Sequence, residues 1–532
     1  MKKNLIPCIF AILLFNLVHA AASQADDAGV DVTKPPGRYQ IDSDGKIYLS
    51  KASSAADQPA ESALNSVQLS LMDAIRYSLE GNQDIQVVSF TPKQSLEELT
   101  NAESVYDPSI FADSSFRREP NLQSSVTNVV MEDTGLFQTG IKKPFSTGGS
   151  LSAFLEMRYG DLINAEFDRT YKYIFAPTLE VRQPLLKNIG AREEKAAITI
   201  ANFQASISEE EFRQKVIEIA TRVSRVYWQL YLFSEEVTVN RQNLDMAEEV
   251  YRREAVRLSQ GISQKLDAER ARSNAEARRS TMLRSKERFR VAMEQLKLLL
   301  NRSNLTIDSD TQVIPVEPPK MTYMEIDEAA IIETALKYRS EVKNAAQQLK
   351  IQQVEETLSR HQRLPNLDFF GRYSLSGYGR DMSGAVDNMS LNDEDAWAVG
   401  LNFDYPIGNR SAKSVYRKKS LERKQADAQI ERLQNQIKMD VKQVILALYY
   451  AKSEMESTRI AKEAAERVVA GEFARFDIGQ TTNEELLRAQ DLLAATSRSF
   501  NRAVVDYNIA MAELGRAQGI LPDGVAMEDA RR

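Results

Sequence analysis

The chain is short of the side chains that most chemistry uses. One cysteine and two histidines occur in 532 residues. The cysteine, Cys8, and one histidine, His19, both fall within the first twenty positions. That segment reads as an export signal. Lys2 and Lys3 precede a short apolar run from Leu5 to Val18, and Val18-His19-Ala20 offers small residues for cleavage after Ala20. The run is too short to span a bilayer as an anchor. The mature chain is then expected to carry no cysteine and to retain His361 alone, which excludes disulfides, thiol chemistry and His/Cys metal clusters. No glycine-rich phosphate loop follows a strand and opens a helix, and Ser146-Thr147-Gly148-Gly149 reads as a turn. The formal net charge of −7 argues against a nucleic-acid binder. No later stretch holds eighteen consecutive apolar residues, so a membrane-embedded mature chain would have to use a closed β-barrel. No cofactor is expected, and an enzyme is improbable on this composition.

What is present is repetition. Arg257-Leu258-Ser259-Gln260-Gly261 returns as Arg475-Phe476-Asp477-Ile478-Gly479, 218 positions on. The same offset separates Ala292-Met293 from Ala510-Met511. Upstream, Gln83-Asp84-Ile85 aligns with Ser340-Glu341-Val342, and Pro108 with Pro365, both at an offset of 257. A duplication on this scale sets the architecture. Each unit reads as helix, strands, very long helix, reversal and return helix.

The long helices announce themselves by their spacing. Phe212, Val216, Ile219, Val223, Val226, Leu230, Phe233 and Val237 step by four and three, and Val441, Val444, Leu448, Ala451 and Met455 do not break the pattern. Such heptad seams require partner helices. A helix of about 70 residues is roughly 100 Å long. The chain reverses at Gly261 and Gly479, glycine being suited to a helix C-terminus. Shorter return helices are expected from about 263 to 301 and 482 to 518. Helices from 69, capped by Ser70, to 104 and from 324 to 363 would complete the stack.

Between those helices the pattern changes to a period of two. Leu367, Phe369, Gly371, Tyr373 and Leu375 alternate with Asp368, Phe370, Arg372 and Ser374. Trp397, Val399, Leu401, Phe403 and Tyr405 alternate with Ala398, Gly400, Asn402 and Asp404. Alternation suits a sheet with one greasy face, which either covers a soluble core or faces lipid. The export signal tilts the reading to lipid. The first repeat holds 35 more residues between its bounding prolines, Pro108 and Pro184, than the second does between Pro365 and Pro406. Leu136 to Lys142 and Leu151 to Tyr159 would make one extra hairpin there, either in the wall or above it.

These features together resemble the TolC-like outer-membrane factor family. The resemblance rests on Arg475 to Thr482, Leu486-Leu487-Arg488-Ala489-Gln490, Asp506-Tyr507-Asn508, Gln183-Pro184-Leu185-Leu186 and the opening Leu69 to Ala74. It implies a mainly α fold with a β-barrel part: a trimeric outer-membrane β-barrel continued by a long periplasmic α-helical coiled-coil barrel, with two internal repeats. It implies a homotrimer, contact with outer-membrane lipid, a periplasmic adaptor and an inner-membrane transporter, and the role of passive conduit in tripartite efflux or type I secretion. The family also narrows its tube with acidic rings just after the reversal. Asp267 and Glu485 occupy those positions, but the next one holds Arg488, with Arg270 as its first-repeat counterpart, so a purely acidic gate is not what this sequence offers. Arg257, Leu258, Gly261, Arg475, Phe476 and Gly479 would form adaptor-docking tips. The expected organisation is a signal over 1–20, a flexible leader over 21–66 with a small extra strand near Tyr39 to Tyr48 as the alternative, repeat one over 67–301 with strands at about 105–183, a linker over 302–322, repeat two over 323–521 with strands at about 364–406, and a tail over 522–532. The rival class is a non-pore, structural coiled-coil protein of the periplasm.

Overall fold

The computed structural model describes residues 39–41, 47–49, 66–118, 133–164, 169–302, 304–321, 323, 326–389, 395–478 and 480–521. The expected signal and C-terminal tail lie outside these residues. The chain divides into two units, 1–63 and 64–532. In the first, β1 (Tyr39–Ile41) and β2 (Ile47–Leu49) pair antiparallel, so the expected flexible leader contains a short hairpin.

The second unit opens with β3 (Ser66–Leu69), which pairs in parallel with β8 (Gln312–Pro315). The segment expected to be a plain linker thus holds a strand that stitches the start of repeat one to the junction between repeats. Alternation is too short to see in four residues, and the pairing is visible only once the helices bring the two segments together.

Ser70 then caps α1 (Leu71–Gly81), its hydroxyl accepting from the Asp73 N–H at 3.1 Å. A second helix, α2 (Gln83–Glu103), starts immediately. Where one helix was expected from 69 to 104 there are two, divided at Asn82. The second repeat divides at the equivalent place, Arg339, between α5 (Glu328–Tyr338) and α6 (Ser340–His361). At both breaks the end of a return helix packs against the chain, and at the first Asn82 also caps α2, its side-chain oxygen accepting from the Asp84 N–H at 2.9 Å and the Ile85 N–H at 3.2 Å. The return helix α4 (Lys265–Leu300) ends at Asn301 in the left-handed region, and there the Asn82 amide donates to the Leu299 carbonyl at 2.9 Å. Its partner α9 (Asn483–Gln518) ends at Gly519, 218 positions after Asn301, against the Arg339 backbone. Each joint sits where a return helix stops.

The two long helices are α3 (Arg192–Ser259) and α8 (Arg410–Asp477), of 68 residues each. In one half of their length α2 and α6 pack beside them, giving the order α2, α3, α6, α8. Lys343–Glu210 at 2.8 Å and Arg423–Glu356 at 2.8 Å tie α6 to both neighbours. In the other half α4 and α9 take over, giving α4, α3, α9, α8. The seam residues Val216, Ile219, Val223 and Leu230 are buried against α1, α4 and Val313 of β8. Leu448 and Met455 are buried against Phe500, Val504 and Tyr507 of α9. No helix among the described residues is long and apolar enough to cross a membrane.

The strands form one sheet. β4 (Ser109–Arg118), β5 (Asp133–Pro144), β6 (Ser150–Asn164) and β7 (Arg169–Pro184) come from repeat one. β9 (Asn366–Leu375) and β11 (Asp395–Asp404) come from repeat two. Their order is β11-β9-β7-β6-β5-β4, antiparallel throughout. A short β10 (Gly377–Gly379) adds to β7, followed by one turn of helix, α7 (Met382–Asp387).

Candidate functional site: the helical turns and the sheet

At the first turn the last residues of α3 close on themselves. The Gly261 N–H donates to the Leu258 carbonyl at 3.0 Å, and the Ile262 N–H to the Arg257 carbonyl at 2.9 Å. Gly261 has φ +73, the left-handed conformation that ends a helix cheaply only with glycine. Beneath it the buried Glu254 carboxylate accepts from Arg257 Nη1 at 3.2 Å and from Ser263 Oγ at 2.8 Å. Arg257 is therefore held in place, and Leu258, Ile262 and Leu266 stand exposed around the turn.

The second turn repeats the clasp with different closure. Glu472 pairs with Arg475 at 2.8 Å, and the Arg475 carbonyl accepts from the Gln480 N–H at 2.8 Å. Thr481 stands at the counterpart of Ser263. No hydrogen bond reaches Glu472 Oε2. The Phe476 side chain and Gly479 lie outside the described residues. Thr482 caps α9 by accepting from the Glu485 N–H at 3.3 Å.

The acidic candidates sit in the first turns of the return helices. Asp267 lies 3.7 Å from Arg270. Arg488 pairs with Glu485 at 3.2 Å and with Glu484 at 2.8 Å. All are exposed, so each contact is a solvated i, i+3 or i, i+4 pair. Asp267 and Glu485 each pair with an arginine of their own helix. The repeats are joined further along, by Arg278 with Asp491 and by Arg225 with Glu513.

Glu484 and the Glu–Arg clasp were not among the sequence candidates. Glu254-x-x-Arg257 and Glu472-x-x-Arg475 obey the 218-residue offset and could have been found by it. His361 is half-buried and accepts from Arg192 at 2.5 Å. Burial, then the Arg192 and Arg360 charges, pull its pKa below the usual imidazole value.

The sheet supplies the other functional surface. Its two faces differ: one is apolar, and the other carries charged pairs interspersed with Phe111, Phe154 and Phe370. On one, Ile110, Leu179, Tyr373, Val399, Leu401 and Phe403 are exposed. On the other, Glu180 pairs with Arg372 at 3.1 Å across the junction between the repeats, and Glu156 accepts from the Gln138 amide at 2.6 Å. Strands β4 and β11 are the outer members of the order. Among the described residues no group of three or more His, Cys, Asp or Glu could hold a metal ion.

Solved structures of similar architecture include outer membrane channels. The chain is similar to the Campylobacter jejuni CmeC outer membrane channel, with 16% identity, TM-score 0.65, and 87% of this chain and 89% of that one covered. It is similar to the outer membrane protein VceC of Vibrio cholerae, with 14% identity, TM-score 0.62, and coverage of 85% and 96%. The open state of the Neisseria gonorrhoeae MtrE outer membrane channel matches at 14% identity and TM-score 0.61, over 92% and 97%. At these identities the likeness establishes the fold. No curated protein sequence matches significantly. A family model described as outer membrane efflux protein matches residues 74–302 and 331–519, one segment per repeat and most of the chain between them. The chain belongs to the outer membrane efflux protein family, whose members are transport conduits and not enzymes.

Proposed function

We propose that the chain is one subunit of a homotrimeric duct that carries cargo from the periplasm through the outer membrane of a Gram-negative bacterium. One observation carries this reading: a single chain ends in an open sheet whose apolar face is exposed and whose edge strands, β4 and β11, lack a further partner strand among the described residues. An open ladder cannot lie in lipid, because its unpaired N–H and C=O groups would have no water to bond. β4 leads away from the helices and β11 returns toward them, so β4 of one copy and β11 of the next would meet antiparallel. The helices ask for neighbours as well. Met439, Leu446, Tyr449 and Tyr450 of α8 are exposed, a patch that solvent does not favour. Three copies follow from the family; the open edges require more than one.

At the far end of the helices, the turns are read as the docking points for a periplasmic adaptor, which couples the duct to an inner-membrane transporter in a tripartite efflux or type I secretion system. Exposed Leu258, Ile262 and Leu266 beside the pinned Arg257 give that surface apolar contacts around a fixed charge. Asp267, Glu485 and Arg488 are read as the constriction, with mixed charge. Their solvated pairing fits a role in the aqueous lumen more than one in stability.

Two measurements test this. Native mass spectrometry of detergent-extracted outer membranes should find a trimer; a water-soluble monomer would overturn the proposal. In planar bilayers, the double variant D267A/E485A should change conductance and block by multivalent cations. Unchanged values would remove the gate assignment and leave the duct.

A further inference from the structure

The extra hairpin of repeat one occupies a particular place. Strands β5 and β6 lie between β4 and β7, inside the sheet. The ladder is continuous from 109–118 on β4 to 133–142 on β5, and from 134–144 on β5 to 150–160 on β6. One lateral row crosses all six strands as Ile110, Ile141, Ala153, Leu179, Tyr373 and Trp397. Every member is apolar. The adjacent row, on the opposite face, is Ser109, Lys142, Ser152, Glu180, Arg372 and Ala398. The hairpin is in phase with the strands on both sides, which a hairpin projecting into water would not need. It is also locked by shape. A Cβ on Gly140 of β5 would lie 2.3 Å from Cβ of Phe154 on β6, so Phe154 lies directly over that glycine, 6.1 Å from the ring of Phe111 on β4.

We infer that this hairpin is part of the barrel wall, so that each subunit contributes six strands and the closed trimer has eighteen. The inference rests on the trimeric duct proposed above and deepens it. An even number of strands per subunit, with β4 and β11 running in opposite senses, closes without a parallel seam. Were the hairpin to stand outside the wall, β4 would pair with β7 directly and the barrel would have twelve strands. The faces would still match, because removing two strands preserves alternation. The two arrangements differ in girth. With strands about 4.8 Å apart and tilted about 40°, eighteen give a backbone diameter of about 36 Å and twelve about 24 Å. A wall of the larger size leaves a water-filled lumen after side chains are placed. The membrane end is then not the narrow point of the duct, and any size limit on cargo falls to the helical turns.

Electron cryo-microscopy of the full protein in lipid nanodiscs tests this. The expected membrane section is a ring of six strands per subunit. Removal of Asp133 to Asn164, which leaves β4 and β7 joined by residues 119–132 and 165–168, should shrink the ring to about two thirds of its diameter. A trimer with four wall strands per subunit and the hairpin outside would overturn the inference and leave the duct standing. Failure to form a trimer at all would overturn both. Should the deletion variant not fold, a nitroxide on L155C supplies the second reading. Lipid-soluble oxygen should relax it as strongly as one on L401C; preferential relaxation by a water-soluble agent would sink the inference.

Discussion

Two glycines of similar conformation do different work. Gly261 has φ +73 and open space around its missing Cβ. Gly519 has φ +74, but a Cβ there would lie 2.9 Å from both N and Cα of Arg339. Alanine at either position pays the left-handed penalty of about 1–2 kcal/mol. Only at 519 must a neighbour also move, and that neighbour is backbone. Arg339 cannot shift freely, since its guanidinium pairs with Glu341 at 2.8 Å and with Asp440 at 3.3 Å. G519A should therefore destabilise by about 1–3 kcal/mol more than G261A, in the range typical of overpacking. Thermal melting followed by circular dichroism checks the order. Equal melting temperatures would mean that the contact with Arg339 carries no weight.

At the scale of elements, the joint between the repeats turns on Tyr227 of α3. Its hydroxyl donates to the Leu69 carbonyl at 3.1 Å and accepts from the Glu317 N–H at 3.1 Å, so one side chain joins the long helix to the end of β3 and to the segment after β8. Burial pushes the phenol up to about 12 from its ordinary value of 10.0. Below pH 10 the group is neutral in both folded and unfolded chains, and its contribution is complete. Between pH 10 and about 12 the unfolded chain ionises and the folded chain does not, so the contribution is lost as pH rises. Y227F leaves the Glu317 N–H without its partner and takes one of two hydrogen bonds from the Leu69 carbonyl, which keeps the Val316 N–H at 3.1 Å, and should cost about 1–3 kcal/mol at neutral pH. The gap between wild type and Y227F should then narrow above pH 10, measured by urea unfolding. A gap that stays constant would show that the phenol is not what ties these elements. This joint also marks where reading the sequence stopped. Heptad seams, alternating strands and both reversals were legible because each is a local period. The division at Arg339 was not, because no side-chain cap marks it and the end of another helix meets it there; the division at Asn82 did carry a local signal, the Gly81-Asn82 pair whose asparagine caps α2. Pro92, the local breaker, lies inside α2 without ending it. The turns were legible as turns, and Asp267 and Glu485 as first-turn acids. The Glu254–Ser263 bond was not, since it depends on how tightly the reversal closes.

For the whole molecule, the two tryptophans give a reading of which surface meets lipid. Trp228 is buried in the helical core, edge-on to Tyr227 with ring centroids 5.2 Å apart. Trp397 lies at the end of the apolar row on β11 and is 74% exposed in the single chain. In water such an indole would be costly and unprotected. In a closed barrel it faces the bilayer, where tryptophan favours the interface and its ring is within reach of lipid chains. The variant W228F leaves Trp397 as the sole tryptophan. Reconstituted in nanodiscs, it should emit at shorter wavelength than free indole in water and lose most of its fluorescence to brominated lipid. W397F, which keeps the core indole, should be indifferent to bromine. The contrast separates a membrane duct from a helical scaffold without reference to cargo, because a scaffold would leave Trp397 open to water-borne iodide. Quenching of W228F by iodide but not by brominated lipid would place the greasy face of the sheet outside the membrane.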